Sequence, residues 1–407
     1  MGSTSFDGRR AFARTGILAA VAALFFSFSG ASAEEVVFAT RPLYKDGHWY
    51  ANISYFARDS EEKTYEKGGG LYVVDTDTGR VRTLVEDDEG TVRDPAVHYD
   101  GKTILFSWRR GDSETFHLFT IQADGSGLAQ LTDGEYDDFE PAWLSDGGIV
   151  FVSTRCKRWV NCWLTQVAVV HPCDADGGNI LSLSANNARD DRPAVLPSGQ
   201  IVYDRWEYVD ASIVLYHDLW TMNPDGTQQL LLYGGSVRSE ARAGQLVYSK
   251  CDPMPIPGSD KLVCVFSPPH GLPENAGDVA VINVKNGPDA YRKFKIISPE
   301  RDYDYRHWYH AGAPEWFGKK GVGFRDPYAL SENCFFAAEN EYLWLLDGQG
   351  GAERFHKAAQ LVHDPRPLTA RPREPVIASR LDLTKSRGTF VVTDVYKGRP
   401  VETDGLA

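Results

Sequence analysis

The chain repeats itself, and that limits its fold more than any single residue. Three segments share one anatomy: RDPAVHYDGKTILFSWRR with HLFTIQADGSGLAQLT (93–132), FEPAWLSDGGIVFVSTR with VAVVHPCDADGGNILSLS (139–184), and DRPAVLPSGQIVYDRWE with DLWTMNPDGTQQLLL (191–232). Each opens on a residue pair ending in proline and passes an Asp-Gly or Ser-Gly turn into a strand of alternating β-branched and aromatic residues. A second strand pair around an Asp-Gly turn follows. Pro95, Pro141 and Pro193 lie 46 and 52 residues apart, and Asp124, Asp176 and Asp225 lie 52 and 49 apart. Asp-Gly supplies the positive φ of a tight hairpin, and the alternation leaves each sheet with an apolar face it cannot bury alone. Such units stack radially and close, so the period is one four-stranded propeller blade.

Weaker copies extend the array. GGGLYVVDTDTGRVRTLV (68–85) reads as an outer hairpin whose blade starts with VVFATRP; GQLVYSK (244–250) pairs with DVAVINVKNG (278–287), and NCFFAAENEYLWLLDGQGGAERF (333–355) makes a further blade. EPVIASRLD (374–382) and TFVVTDVY (389–396) remain as candidates for a closing strand. The expectation is an all-β propeller of six blades, with seven as the alternative. Four segments lengthen loops: 155–166, 205–217, the Pro-rich stretch from Cys251 to Pro273, and 301–317. Insertions in repeat folds gather on one face, where binding usually occurs.

The first 33 residues stand apart. Arg9, Arg10 and Arg14 precede an apolar run from Gly16 to Phe28, and Ala31-Ser32-Ala33 follows. That is an export leader, too short for the roughly 20 residues of a spanning helix. The paired arginines fit either the twin-arginine or the general secretory route. The expected organisation is leader 1–33, propeller 34–385 and a tail 386–407, in a periplasmic or otherwise exported protein. The net charge of −13 becomes about −15 once the leader's three arginines and one aspartate are removed, so the acidity belongs to the mature fold. It argues against a non-specific nucleic-acid binder, which needs a basic surface.

Six cysteines in an exported chain suggest disulfides. Cys251 with Cys264 is the first candidate pair, and Cys156 with Cys162 a second within the cluster that includes Cys173. CxxC is absent, so zinc lacks a ligand pattern, and CxxCH is absent, so c-type haem has no attachment site. G-x-S-x-G is missing too, which removes the serine-peptidase reading of a propeller chain.

The phrase Pro-Ala-Trp, Ser-Asp-Gly, strand, Asp-Gly, strand resembles the TolB-like β-propeller repeats. CKRWVNCW (156–163), HPCDADGGN (171–179), LSANN (183–187), LPSGQIVYDRWEYVD (196–210) and LWTMNPDG (219–226) resemble the propeller middle domain of the hydrazine synthase alpha subunit and its relatives in planctomycete-like bacteria. That resemblance covers about residues 90–340 and implies the propeller fold and export. It does not imply the redox chemistry, which in that family belongs to haems on CxxCH motifs outside the propeller. Relatives of this type continue into further domains, so the resemblance admits a shortened or split member.

Charged residues recur at blade starts: Arg93-Asp94, Glu140, Asp191-Arg192, Glu240 and Glu374. In TolB-like propellers this position opens the innermost strand. Asp94, Glu140, Asp191, Arg192 and Glu240 would then ring the channel, as a ligand-binding funnel or as ion pairs that hold the ring shut. His307 and His310 sit among aromatics, with His217 and His270 in other insertions; they are metal or general-base candidates only if they converge with a carboxylate. Asp204, Glu207 and Asp210, with Asp174 and Asp176, are candidate oxygen ligands for Ca²⁺. No catalytic residue and no other cofactor is expected. The functional expectation is a binding module, non-catalytic by itself, that docks a protein partner or the haem-bearing subunit of a redox complex. The alternative is a metal-assisted lyase acting on acidic sugars in the funnel.

Overall fold

A computed structural model describes residues 35–235, 248–299 and 323–389, apart from positions 47, 211, 213–214, 269–270, 291–292, 383 and 388. It is a six-bladed β-propeller, five blades having four antiparallel strands and one having three. Blade two runs outward from the axis as Thr91–Val97, Thr103–Arg109, His117–Gln122 and Ala129–Gln130. Blade three is Asp138–Trp143, Ile149–Ser153 and Val169–Cys173. Blade four is Asp190–Val195, Ile201–Trp206, His217–Met222 and Leu230–Tyr233. Blade five is Ser249–Pro255, Lys261–Ser267, Asp278–Asn283 and Phe294–Ile296, and blade six is Arg325–Ser331, Cys334–Glu339, Tyr342–Leu346 and Ala352–Lys357.

Blade one is composite. Its inner strand is Val362–Pro367, from the far end of the chain, and its other three are Glu35–Thr40, Gly70–Asp75 and Val81–Glu86. Val36 faces Pro367 and Thr40 faces Val362 across this seam. VVFATRP therefore supplies a second strand and not a blade start, and EPVIASRLD is not a strand; the closing strand is LVHDPRP.

Six apolar clusters sit one between each pair of neighbouring blades. Val37, Leu71 and Val73 of blade one meet Ile104, Phe106 and Phe119 of blade two. The last cluster joins Phe336 and Leu343 of blade six to Val36, Phe38 and Val74 of blade one. The alternating strands supply both faces of every cluster. The ring is thus sealed by the residues whose alternation defined the repeat.

Antiparallel succession puts the turns after each first and third strand on one face and the longer connections on the other. On that long-connection face, residues 41–69 of blade one cross the mouth of the channel. Trp49 and Tyr50 pack with Val160, Val167 and Trp206, and Ile53 and Tyr65 with Phe116 and Phe139. Tyr50 stacks on Trp206 at 4.8 Å between ring centroids, and Trp206 on His217 at 5.4 Å. A bidentate, buried Arg41–Glu274 pair and a Ser54–Asp137 hydrogen bond anchor the same segment to blades five and three. This end of the channel is plugged. Trp206→Ala, at a residue only 1% exposed, is expected to cost about 3–5 kcal/mol of stability, read as a fall in the urea midpoint.

The segment from Cys251 is not a loop insertion. It holds the first two strands of blade five, and Cys251, Cys264, Cys156 and Cys162, the expected bridge partners, are free thiols. Cys251 lies opposite Val265 and Cys264 opposite Ala280, so the two side chains leave the sheet on opposite faces. The Cys156 thiol donates to the Val167 carbonyl while Cys162 faces the Tyr50 hydroxyl, which leaves the second expected bridge unformed as well.

Candidate functional site

Each inner strand carries the same corner: Asp94-Pro95, Glu140-Pro141, Arg192-Pro193, Asp252-Pro253, Asp326-Pro327 and Asp364-Pro365. The residue before each proline has a left-handed φ between 51° and 58°. Pairing skips at the same place in every blade; Arg93 faces Ser107 and Ala96 faces Leu105, so Asp94-Pro95 together oppose Phe106. This two-against-one bulge bends the strand and turns the pre-proline side chain towards the axis. Proline is tolerated because the inner strand is a sheet edge whose outward N–H has no ladder partner. A left-handed non-glycine residue costs about 1–3 kcal/mol, and the fold accepts that cost six times.

The six side chains form a ring of five acids and one guanidinium. Arg192 is the hub: Nε lies 3.0 Å from Glu140 Oε1 and 3.1 Å from Asp252 Oδ1. Its Nη1 lies 3.2 Å from Asp364, 3.4 Å from Asp326 and 3.9 Å from Asp94. Backbone N–H groups at the corners also reach round the ring. Glu140 donates to Asp94 at 3.0 Å, Arg192 to Glu140 at 2.8 Å, and Asp364 to Asp326 at 3.2 Å.

Charges behind the ring divide the acids. Arg93 pairs with Asp94 at 2.7 Å and reaches Glu140 at 3.3 Å; Arg366 holds Asp364 at 3.0 Å. His363 stands 3.4 Å from Asp326. Burial would raise Asp94, but Arg93, Arg192 and Arg41 hold it below its usual range, and Asp326 is held low against burial by His363 and Arg192. Asp252 goes the other way: burial, with Asp326, Glu140 and Asp364 nearby, outweighs Arg192 and pushes it up to about 8. Burial and Asp326 push Asp364 up to about 7.

The ring floors a cavity of about 410 Å³ that opens on the face of short turns. Its walls are the corner prolines and the residues after them, including Trp143, Met254 and Tyr328. One side is completed by an extended segment, 368–382, that follows the closing strand across blades two to four. Arg371 lies over the Tyr99 ring at 3.9 Å, Glu374 accepts from the Tyr99 hydroxyl, and Arg373 donates to the Ser145 carbonyl at 3.1 Å. Contact is so close that a Cβ on Gly101 would fall 2.4 Å from the Ala370 nitrogen, and one on Gly199 2.1 Å from the Pro375 oxygen.

Of the residues expected at the channel, Asp94, Glu140 and Arg192 stand in the ring. Asp191 sits one residue behind it, paired with Arg189 at 3.2 Å and in register with Asp204. Glu240 lies outside the described residues, as do His270, His307 and His310. Glu374 is at the rim and opens no blade. Asp252, Asp326 and Asp364 were missed, although each carries the same acid-proline signal as Asp94. The oxygen-ligand candidates do not converge: Asp204 is buried behind the ring, Glu207 half-buried and Asp210 exposed. Asp174 accepts from Asn179 and Asp176 from the Gly178 N–H, as caps of a hairpin turn. Among the described residues no group of three or more His, Cys, Asp or Glu has an arrangement that would hold a metal ion. His217 is buried among the plug aromatics.

Six blades, bulged acid-proline corners and a funnel closed at one end define a six-bladed β-propeller of the TolB-like fold. No known family profile matches the chain. It is similar to hydrazine synthase of Kuenenia stuttgartiensis: the solved structure superposes with a TM-score of 0.65 at 16% identity, over 86% of this chain and 48% of that one. The alpha subunit of that enzyme is 26% identical over 133 residues, 31% of this chain. TolB of Acinetobacter baumannii superposes with a TM-score of 0.54 at 12% identity, over 86% of this chain and 70% of that one. Dipeptidyl-peptidase 5 of Porphyromonas gingivalis is 40% identical over 69 residues, 16% of this chain. The matched stretches span 10% of the peptidase and 15% of the hydrazine synthase subunit. At these identities the structural likeness is one of fold. Among the described residues no helix is long and apolar enough to cross a membrane.

Proposed function

We propose that the protein is an exported propeller scaffold, non-catalytic by itself, that docks a protein partner or the haem-bearing subunit of a redox complex in its funnel. The observation that carries this reading is the pre-formed cavity of about 410 Å³ on the short-turn face, backed by a plugged channel. A ligand enters from one side and meets a floor that is already built, which lowers the ordering cost of binding. Export rests on the leader, and the mature protein is expected to begin at Glu34, as Edman sequencing or intact mass of the secreted form would read.

Docking is tested by affinity capture from the periplasm of the source cells with three baits. Ala142→Trp fills the funnel wall, whereas Leu230→Arg changes an exposed side chain on the outer strand of blade four. A partner held by the wild type and Leu230→Arg but lost by a folded Ala142→Trp supports the reading. Retention by Ala142→Trp with loss by Leu230→Arg places the interface on the blade edge and ends it.

A further inference from the structure

One acid of the ring lacks a partner of its own. Asp94 has Arg93, Glu140 has Arg93 and Arg192, Asp364 has Arg366, and Asp326 has the Asp364 N–H and His363. Asp252 has only its share of Arg192, at 3.1 Å. Neither Asp252 oxygen accepts a hydrogen bond, although its side chain is only 4% exposed and lines the cavity. The cause lies in the ring sequence. Glu140, Arg192 and Asp364 each donate a backbone N–H to the acid one corner earlier. The corner after Asp252 is Asp326, whose N–H makes no such bond back to it, so the Asp252 carboxylate is left over.

The cavity above that carboxylate has corner prolines, Met254, Trp143 and Tyr328 in its walls and acids at its floor, while Arg371 and Arg373 of the rim segment stand with Glu374 on one side and Arg366 is paired with Asp364. An apolar stem with one charged tip matches both parts, as long basic side chains do when they bury the stem and present the head. A hydrated divalent ion matches neither, and Arg192 already occupies the centre on which the other acids converge. We propose that the funnel floor is a subsite for a single guanidinium or primary ammonium group, carried by a protruding basic side chain of the docked partner and seated against Asp252. This rests on docking in the funnel and names the chemistry recognised there. Burial keeps a lone Asp252 protonated near neutral pH, and an incoming cation takes the place of that proton.

The test is titration calorimetry of the mature protein with N-acetyl-arginine amide, its neutral analogue N-acetyl-norleucine amide, and CaCl₂. The arginine amide is expected to bind the wild type and to bind Asp252→Asn about tenfold or more weakly, while the norleucine amide gives no saturable heat. A second measurement needs no variant. Asp252 is faced by Arg192, Glu140, Asp326, Asp364, Asp204 and Cys264, and near pH 5.5 it holds its proton, so wild-type affinity for the arginine amide is expected to fall there. Equal affinities for wild type and Asp252→Asn, equal binding of both amides, no saturable heat with the arginine amide, or displacement of it by Ca²⁺ each overturn the subsite. If the subsite fails while Ala142→Trp still abolishes capture, docking in the funnel stands without it.

Discussion

A mature chain ending at Leu361 is expected to lose cooperative unfolding altogether, whereas one ending at Leu368 keeps it. The difference is the strand Val362–Pro367, which is the innermost strand of a blade whose other three come from the beginning of the chain. Val362, His363 and Asp364 are at most 1% exposed. Without them the seam between blades six and one opens, and Val36, Phe38, Val74 and Phe336 lose the residue that completes their cluster. A propeller has no slack for this, because each blade's apolar face is covered only by the next one. The loss exceeds the ~5–15 kcal/mol by which a domain is ordinarily stable. Stopping after Leu368 removes the rim segment, with its partly exposed pairs to Tyr99 and Ser145, and the residues that follow it. Those pairs are worth about 0–1 kcal/mol each, so the transition shifts by a few degrees and stays sharp. Circular dichroism melts and urea titrations of the two truncations read the contrast directly. A cooperative transition from the Leu361 truncation would show that the ring closes without its last strand.

The same strand marks where the sequence was legible and where it was not. Blades two, three and four announce themselves because their corner prolines recur at 46 and 52 residues. The later corners, Pro253, Pro327 and Pro365, follow at 60, 74 and 38, and their period is lost to the eye. The stretches that swell the two long intervals include 236–247 and 300–322. Asp252 was hidden by its surroundings as well: DPMPIPGSDKLV between two cysteines looks like a stapled loop, yet it is the end of an inner strand, its turn and the start of the next strand. Asp364-Pro365 has no second strand after it, since its partner Glu35–Thr40 lies at the other end of the chain. Glu374-Pro375 bears the same dipeptide and is a decoy. What distinguishes the two is pairing between distant segments, and local pattern does not encode that. The ring's electrostatics were readable only in part: charges at blade starts are visible in the sequence, but that one arginine faces five acids depends on closure of the whole circle.

Replacing that arginine tests the ring. Arg192→Met keeps an unbranched stem of similar reach and removes the guanidinium, leaving Asp94, Glu140, Asp252, Asp326 and Asp364 around an uncharged centre. Breaking a buried ion network by deleting one partner costs about 3–5 kcal/mol, because the remaining charges stay buried and unpaired. The size of the loss depends on pH, and its sign follows from the protons. Asp252 and Asp364, at about 8 and about 7, hold protons that the unfolded chain has already released above its ordinary carboxyl range near 4. Stability conferred by the fold therefore falls as pH rises from about 4 to about 8, by about 1.4 kcal/mol per pH unit for each such proton. Asp94 and Asp326 are held low and act in the opposite sense, contributing above their unfolded range and losing that contribution as pH drops below about 4. The wild type is accordingly expected to be most stable on the acid side of neutrality. Arg192→Met should already be less stable near pH 5, where Asp94 and Asp326 are ionised and have lost its charge, and should fall further behind towards pH 8, where the wild type's Asp252 and Asp364 can ionise against Arg192 and the variant's cannot. Urea midpoints across that range measure the divergence. A loss of the same size at every pH would assign Arg192 a packing role and leave the ring without its electrostatic hub.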